Sequence, residues 1–109
     1  MNKKVIQKWF EKNTGGAILL PDGWFGRPFD NLHTLVSVDE KDNCLQINLD
    51  DGDTHLTFHG RCVVKADKKE LYFYDFSLFV FSWIPYGTPK QDVISSKSYT
   101  GGEVVCVSN

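Results

Sequence analysis

The sequence predicts an α+β domain that is mostly β, with one N-terminal helix followed by an antiparallel meander of about six to eight strands. Three observations predict this fold class. Apolar residues follow a helical period before Gly15 and alternate with polar residues after Gly16. Turn-forming residues recur at short intervals through the second part. Aromatic residues make up 14% of the 109 residues, which is enough for the core of one domain spanning 1–109.

The predicted helix covers about residues 2–13. Its apolar positions form a single stripe: Val5, Ile6, Trp9 and Phe10. Asn2 can cap the N-terminus, and Gly15 and Gly16 supply the left-handed conformation that ends a helix. Because a helix of this length is unstable alone in water, we expect the stripe to be covered by the rest of the domain.

The segment 20–33, L-P-D-G-W-F-G-R-P-F-D-N-L-H, has no period and is predicted to be a stiff loop. Its candidate binding residues are Trp24, Phe25, Arg27, Phe29, Asp30 and His33. One interpretation is a recognition loop, because a preordered loop loses little entropy on binding and Trp, Phe and Arg are typical interface anchors. The other interpretation is structural, with Trp24 and Phe29 folding back over a barrel mouth while Arg27 pairs with Asp22 or Asp30.

Alternation of apolar and polar residues predicts the strands. They are expected at about 17–20, 34–38, 44–49, 54–59, 61–66, 71–84, 93–98 and 103–107. The pair Asp51-Gly52 between two of these strands is a strong hairpin signal. So many short strands in one small domain are expected to form a strongly curled or barrel-like sheet, because closure removes free edges. Neither a repeat nor a linker interrupts the pattern.

The run 71–84, L-Y-F-Y-D-F-S-L-F-V-F-S-W-I, is apolar on both faces when it is read as one strand. Tyr72 and Tyr74 begin a nearly unbroken apolar face, which also contains Phe76, Leu78, Val80 and Ile84. The second face contains Leu71, Phe73, Phe79, Phe81 and Trp83. We expect the second face to be covered by the N-terminal helix, to be relieved by a bulge near Ser77, or to meet another chain. In the last case Phe79, Phe81 and Trp83 form a homodimer or partner interface.

Residues that bind metals or perform catalysis are not arranged for either task. His55 and His59 lie on a predicted strand, which separates their rings by about 13 Å. The acidic turns 39–42 and 50–53 flank the strand 44–49 and are about 20 Å apart. The sequence lacks the motifs of nucleophile elbows, zinc proteases, phosphate loops and dinucleotide-binding folds. We therefore expect no metal and no cofactor, and a non-catalytic protein is favoured, although carboxylates that pair only in space leave no sequence signature.

Charge and composition limit the partner classes. A net charge of −2 offers no general attraction for nucleic acid or anionic lipid, so neither is an expected partner. The sequence contains neither a secretory signal nor an apolar stretch of the roughly 20 residues that would span a membrane. Cys44, Cys62 and Cys106 lack CxxC spacing and are typical of reduced thiols. A cytoplasmic location is expected.

These features support two hypotheses of different classes. The first is a small, non-catalytic cytosolic module that binds a protein: an inhibitor, an immunity-type protein that blocks a toxin, or an accessory subunit. The alternative is a small-molecule-binding β-barrel or a small enzyme with a pocket beside the 20–33 loop, in which Trp24 and Phe29 form a stacking wall and His33 and Asp30 supply polar groups. A purely structural homo-oligomer is a third, weaker interpretation.

Overall fold

The computed structural model describes residues 2–13, 15–22, 33–52, 54–83 and 95–109. Within these ranges the chain forms one helix and nine strands, together with a short 3-10 turn at Asp50–Gly52. The elements are α1 (Asn2–Lys12), β1 (Ala17–Leu19), β2 (Leu35–Lys41), β3 (Cys44–Leu49), β4 (Thr54–His59), β5 (Val63–Ala66), β6 (Glu70–Tyr74), β7 (Leu78–Trp83), β8 (Ser95–Thr100) and β9 (Val105–Ser108). The prediction of a mostly β domain with one N-terminal helix is confirmed.

The described strands form two antiparallel sheets. One is four-stranded, in the order β1-β9-β6-β5, and the other is five-stranded, in the order β2-β3-β4-β7-β8. The chain passes between the sheets after β1, β4, β6 and β8, so among the described strands only β2, β3 and β4 follow one another as a meander. Among the described residues the sheets remain separate, and neither a closed barrel nor a strongly curled sheet is formed.

The core lies between the two sheets. Its apolar side chains are Val38, Leu45, Ile47, Leu49, Leu56, Phe58, Phe79 and Phe81 from the five-stranded sheet and Ile18, Leu71, Phe73, Val105 and Val107 from the four-stranded sheet. The rings of Phe58 and Phe73 stack across the sheets with their centroids 4.7 Å apart. Alternate residues of each strand point into this layer, which is the period expected for a sheet with one buried face.

The helix closes one side of the core, because it contacts both β2 and β5, which are edge strands of different sheets. Ile6 and Trp9 of its apolar stripe are buried. At the C-terminal end the buried side chain of Asn13 donates from Nδ2 to the Trp9 carbonyl at 2.9 Å. Asn13 Oδ1 in turn accepts a 2.7 Å hydrogen bond from Asn109 Nδ2. The Trp9 carbonyl also accepts the backbone N–H of Asn13 at 3.0 Å, so both groups of Asn13 close the last turn of the helix.

One sharp change of direction carries the chain from β4 toward the other sheet. Gly60 follows β4 with a φ of 83°, a conformation that strongly favours glycine. A side chain at this position would also collide with the side chain of Ser77. The backbone N–H of Ser77 donates to the His59 carbonyl at 2.9 Å, which holds the β6–β7 connection beside this turn.

The aromatic run forms two strands that belong to different sheets. β6 and β7 are separated by Asp75, which has a φ of 65°. Phe79 and Phe81 are 0% exposed in the core of the single chain. The interface with another chain at Phe79, Phe81 and Trp83 stays a prediction. Trp83 is half-buried and stacks on Phe81 with their centroids 5.2 Å apart. The second apolar face predicted for the run 71–84 lies between the two sheets, where residues of the same chain cover Leu71, Phe73, Phe79 and Phe81.

Candidate functional site

The predicted aromatic loop begins at a stem that is fixed to β8. Asp22 Oδ2 accepts hydrogen bonds from Lys97 Nζ at 2.8 Å and from the Tyr99 hydroxyl at 3.1 Å. The hydrogen bond to Asp22 raises the pKa of Lys97. The Tyr99 ring stacks on the buried Phe79 ring, with their centroids 5.8 Å apart. The start of the loop is therefore connected to the core through one side chain of the strand.

The second stem is formed by His33, which is 1% exposed. Its backbone N–H and C=O pair with those of Gly16 at 2.8 and 3.0 Å. Its Nδ1 donates to Asp50 Oδ2 at 2.5 Å, and Asp50 Oδ1 accepts the backbone N–H of Thr34 at 3.1 Å. Asp50 adopts a left-handed φ of 56°, which Asp tolerates better than most residues. One acidic side chain thus holds the end of the loop to the β3–β4 connection.

The structure changes the role predicted for His33. The imidazole is buried and its Nδ1 is used by Asp50, so His33 is a structural residue of the stem and not a polar group that faces a surface ligand. Its Nε2 is buried and has no hydrogen-bond partner in the described part of the chain. The other five predicted binding residues, Trp24, Phe25, Arg27, Phe29 and Asp30, lie outside the described residues, and their roles stay predictions.

A groove adjoins the second stem, between α1 and the start of β2. Its volume is about 490 Å³. It is lined by Gln7, Phe10, Glu11, Asn13, Thr34 and Leu35. The lining combines one ring with amide, carboxylate and hydroxyl groups, which can hydrogen-bond to a small molecule.

A second surface, which the sequence did not predict as a site, is the outer face of the four-stranded sheet. We call it the tyrosine face; its residues are Leu19, Val63, Lys65, Tyr72, Tyr74, Val104 and Cys106. Leu19 and Val104 are 40% and 50% exposed, and they are two of the three most exposed large apolar residues in the described ranges. Tyr72 and Tyr74 had been assigned to the same face of the strand by alternation. The structure shows that this face points outward.

The outer face of the five-stranded sheet is polar by contrast. Asn48 is at its centre: Oδ1 accepts from Gln46 at 2.8 Å and contacts His55 Nδ1 at 2.7 Å. Asn48 Nδ2 donates to Ser37 and Asp39 at 2.9 and 3.0 Å. His55 and His59 both lie on β4, as predicted. Within the described residues, groups of three or more metal-binding side chains do not form.

All three cysteines are free thiols. Burial, with a smaller contribution from the negative charge of Asp75, raises the pKa of Cys62 to about 12. Burial also raises the pKa of Cys106. Both thiols are therefore protonated at neutral pH, and the thiolate that nucleophilic catalysis requires is disfavoured at these two positions.

Neither a family model, nor a curated protein, nor a solved structure matches this chain. The helix in the described ranges is too short and too polar to cross a membrane. The function is accordingly inferred from three surfaces of the chain itself: the anchored loop stems, the groove beside α1 and the tyrosine face.

Proposed function

We propose that the chain is a small non-catalytic module that binds a protein partner through the segment 20–33. The observation that carries the proposal is the attachment of both stems: Asp22 to β8 at one end, and His33 to Gly16 and Asp50 at the other. A short loop with two fixed ends has fewer conformations in the free state. It therefore loses less entropy when it binds.

The residue types of the segment suit this role. Trp24, Phe25 and Arg27 bury large contact areas or make several directed hydrogen bonds, and such residues provide most of the energy in protein interfaces. The chain itself would be an inhibitor, an immunity-type protein or an accessory subunit in the cytoplasm, where it acts by occupying the partner's surface. This role requires no cofactor.

We expect Trp24→Ala and Arg27→Ala to leave the fold intact and each to weaken partner binding by about 30-fold or more, the effect of losing an interface anchor. The tagged chain is used to capture its partner from a lysate of the native host. The captured protein is then purified, and its affinity for each variant is measured by calorimetry. Thermal unfolding tests whether the variants are folded.

Lys68→Ala is a suitable control, because Lys68 is exposed in the turn between β5 and β6 of the four-stranded sheet, outside the segment 20–33 and its stems. It should bind the partner as tightly as the wild type. A partner that binds the loop variants and the wild type equally would show that the segment 20–33 is not the contact element. If the wild type captures nothing specific, the proposal loses its basis.

The alternative function, binding of a small molecule beside the same loop, is favoured by the groove of about 490 Å³ next to His33. The expected result is that a metabolite mixture contains a compound that stabilises the wild type in thermal unfolding but does not stabilise Gln7→Ala or Glu11→Ala. Equal stabilisation of all three proteins, or of none, argues against the groove as the site.

A further inference from the structure

The tyrosine face contains a shallow groove of about 540 Å³ that is open to solvent. Lys65, Tyr72, Tyr74 and Val104 line it, together with Ala66 and Asp67 of the β5–β6 hairpin. Lys65 lies directly opposite Tyr72 in the register of β5 and β6. Tyr72 and Tyr74 are two residues apart on one strand, so their Cα atoms are separated by about 7 Å and their rings stand side by side.

The strand that carries both tyrosines, β6, offers side chains to a ligand but no free main-chain groups. β6 lies between β5 and β9, and its backbone pairs with both neighbours. A ligand cannot extend this part of the sheet as an additional strand, because strand addition needs an unpaired edge. Recognition must therefore use rings, apolar side chains and the polar groups at their tips.

Two of those polar groups, the Lys65 ammonium and the Tyr74 hydroxyl, are hydrogen-bond donors. Each of the two carboxylates beside the groove already accepts one hydrogen bond: Glu70 Oε1 accepts the Tyr72 hydroxyl at 2.7 Å, and Asp67 Oδ1 accepts the backbone N–H of Lys68 at 2.9 Å. The hydrogen bond to Glu70 raises the pKa of Tyr72 to about 12, so the phenol stays protonated at neutral pH. In the described part of the chain, neither the Lys65 ammonium nor the Tyr74 hydroxyl makes a hydrogen bond to another residue.

We propose that the tyrosine face binds a proline-rich segment in the polyproline II conformation. Such a segment presents solvated carbonyl groups all along its length, and its proline residues have no N–H to satisfy. It therefore matches a groove that supplies two tyrosine rings together with the donors of Lys65 and Tyr74. The conformation is ordered before binding, which allows a shallow groove to hold it at a small entropic cost.

Other occupants fit this face less well. Four strands of this length give a footprint of about 300 Å², and a stable interface with a second copy needs about 800 Å² from each chain. Single-stranded nucleic acid also stacks on exposed tyrosines, but it requires a positively charged groove. Here Lys65 shares the groove with Asp67, and Glu70 contacts the Tyr72 hydroxyl, in a chain whose net charge is −2.

The test is a titration of the full chain with acetylated decaproline, in which ¹⁵N–¹H correlation spectra are recorded at each concentration. We expect saturable shifts at Lys65, Tyr72, Tyr74 and Val104, and no such shifts with a flexible glycine–serine decapeptide. Tyr74→Phe keeps the ring but removes one donor, so it should weaken binding by about threefold to tenfold. Tyr74→Ala should weaken it further. Thr57→Ala, on the outer face of the other sheet, should bind normally.

Three results would overturn the proposal. The first is that decaproline causes no shifts or shifts another surface. The second is tighter binding of an oligothymidylate than of decaproline at the same groove. The third is a wild-type dimer in sedimentation equilibrium that Tyr74→Ala converts to a monomer, which would assign the face to a second copy of the chain. None of these measurements involves the segment 20–33, so the outcome is independent of the function proposed above.

Discussion

Replacing Phe58 by alanine is expected to lower the free energy of unfolding by about 3–5 kcal/mol, the usual loss for a buried phenylalanine. Phe58 is 0% exposed and lies where the two sheets meet. Its ring stacks on Phe73 of the opposite sheet at 4.7 Å and on Phe79 of the neighbouring strand at 4.6 Å. It also contacts Phe76, in the connection between the sheets, at 5.4 Å. Truncation would therefore leave a cavity that three other rings surround.

Urea denaturation followed by tryptophan fluorescence measures this loss. Domains have a total stability of about 5–15 kcal/mol, so a loss of this size removes a large share of it and should lower the urea midpoint clearly. Val36→Ala is the matched control, because Val36 is 51% exposed and its truncation should change stability by no more than about 0.5 kcal/mol. A Phe58→Ala variant within 1 kcal/mol of the wild type, roughly the effect of a surface change, would contradict the role given to this ring cluster.

The sequence predicted the local elements well, because each has a local cause. The helix is predicted at 2–13 and observed at Asn2–Lys12. Its apolar stripe ends shortly before Gly15 and Gly16, which predict the end of the helix. The alternation and the acidic turns predict β3 at its observed bounds, Cys44–Leu49. The period of a strand is a property of neighbouring residues, so one sequence is sufficient to detect it.

The arrangement of the sheets could not be predicted in this way. The alternation of apolar and polar residues within one strand does not indicate which sheet the strand joins. The sequence therefore predicts the run 71–84 as one strand with two apolar faces. Its division at Asp75 places Phe73 and Phe79 in the same core from opposite sheets. The same division turns Tyr72 and Tyr74 outward. The sequence therefore places Tyr72 and Tyr74 on the same face of a strand. Whether that face is exposed depends on the tertiary structure.

The candidate loop was predicted from its composition, whereas the contacts that hold its stems were not. The sequence predicts an acidic turn at Asp50, and in the structure the Asp50 side chain contacts His33, 17 positions earlier in the chain. Asp22 was considered a partner for Arg27, and it is bound by Lys97, 75 positions later. Partners so distant in sequence are brought together only by strand pairing, which leaves no local pattern.

Replacing Asp50 by alanine is expected to lower the free energy of unfolding by about 3 kcal/mol, because a buried polar contact loses one partner. Three stabilising features would be lost together. The His33 imidazole, 1% exposed, would keep a buried donor without its acceptor. The backbone N–H of Thr34 would also lose its acceptor, Asp50 Oδ1. Alanine would also adopt the left-handed φ of 56° less readily than aspartate.

Asp50→Asn separates these contributions. Asparagine accepts the Thr34 N–H and tolerates the left-handed conformation, so only the charged acceptor of the His33 hydrogen bond is lost. We expect a loss of about 1–2 kcal/mol for this variant, clearly smaller than for alanine. Chemical denaturation measures both values, and Asp42→Ala in the exposed β2–β3 turn is a control that should change stability little. Equal losses for Asp50→Asn and Asp50→Ala would attribute the whole effect to the contact with His33.

The double variant His33→Ala/Asp50→Ala tests whether the two side chains stabilise the stem as a pair. If the hydrogen bond between Nδ1 and Oδ2 is the main contact of both residues, the loss in the double variant should be smaller than the sum of the two single losses by about 1–3 kcal/mol. Additive losses would mean that His33 is needed only to fill space between Gly16 and the core. Coupling would show that the end of the 20–33 segment is fixed by a specific polar contact, and that is the property on which its use as a preordered binding loop depends.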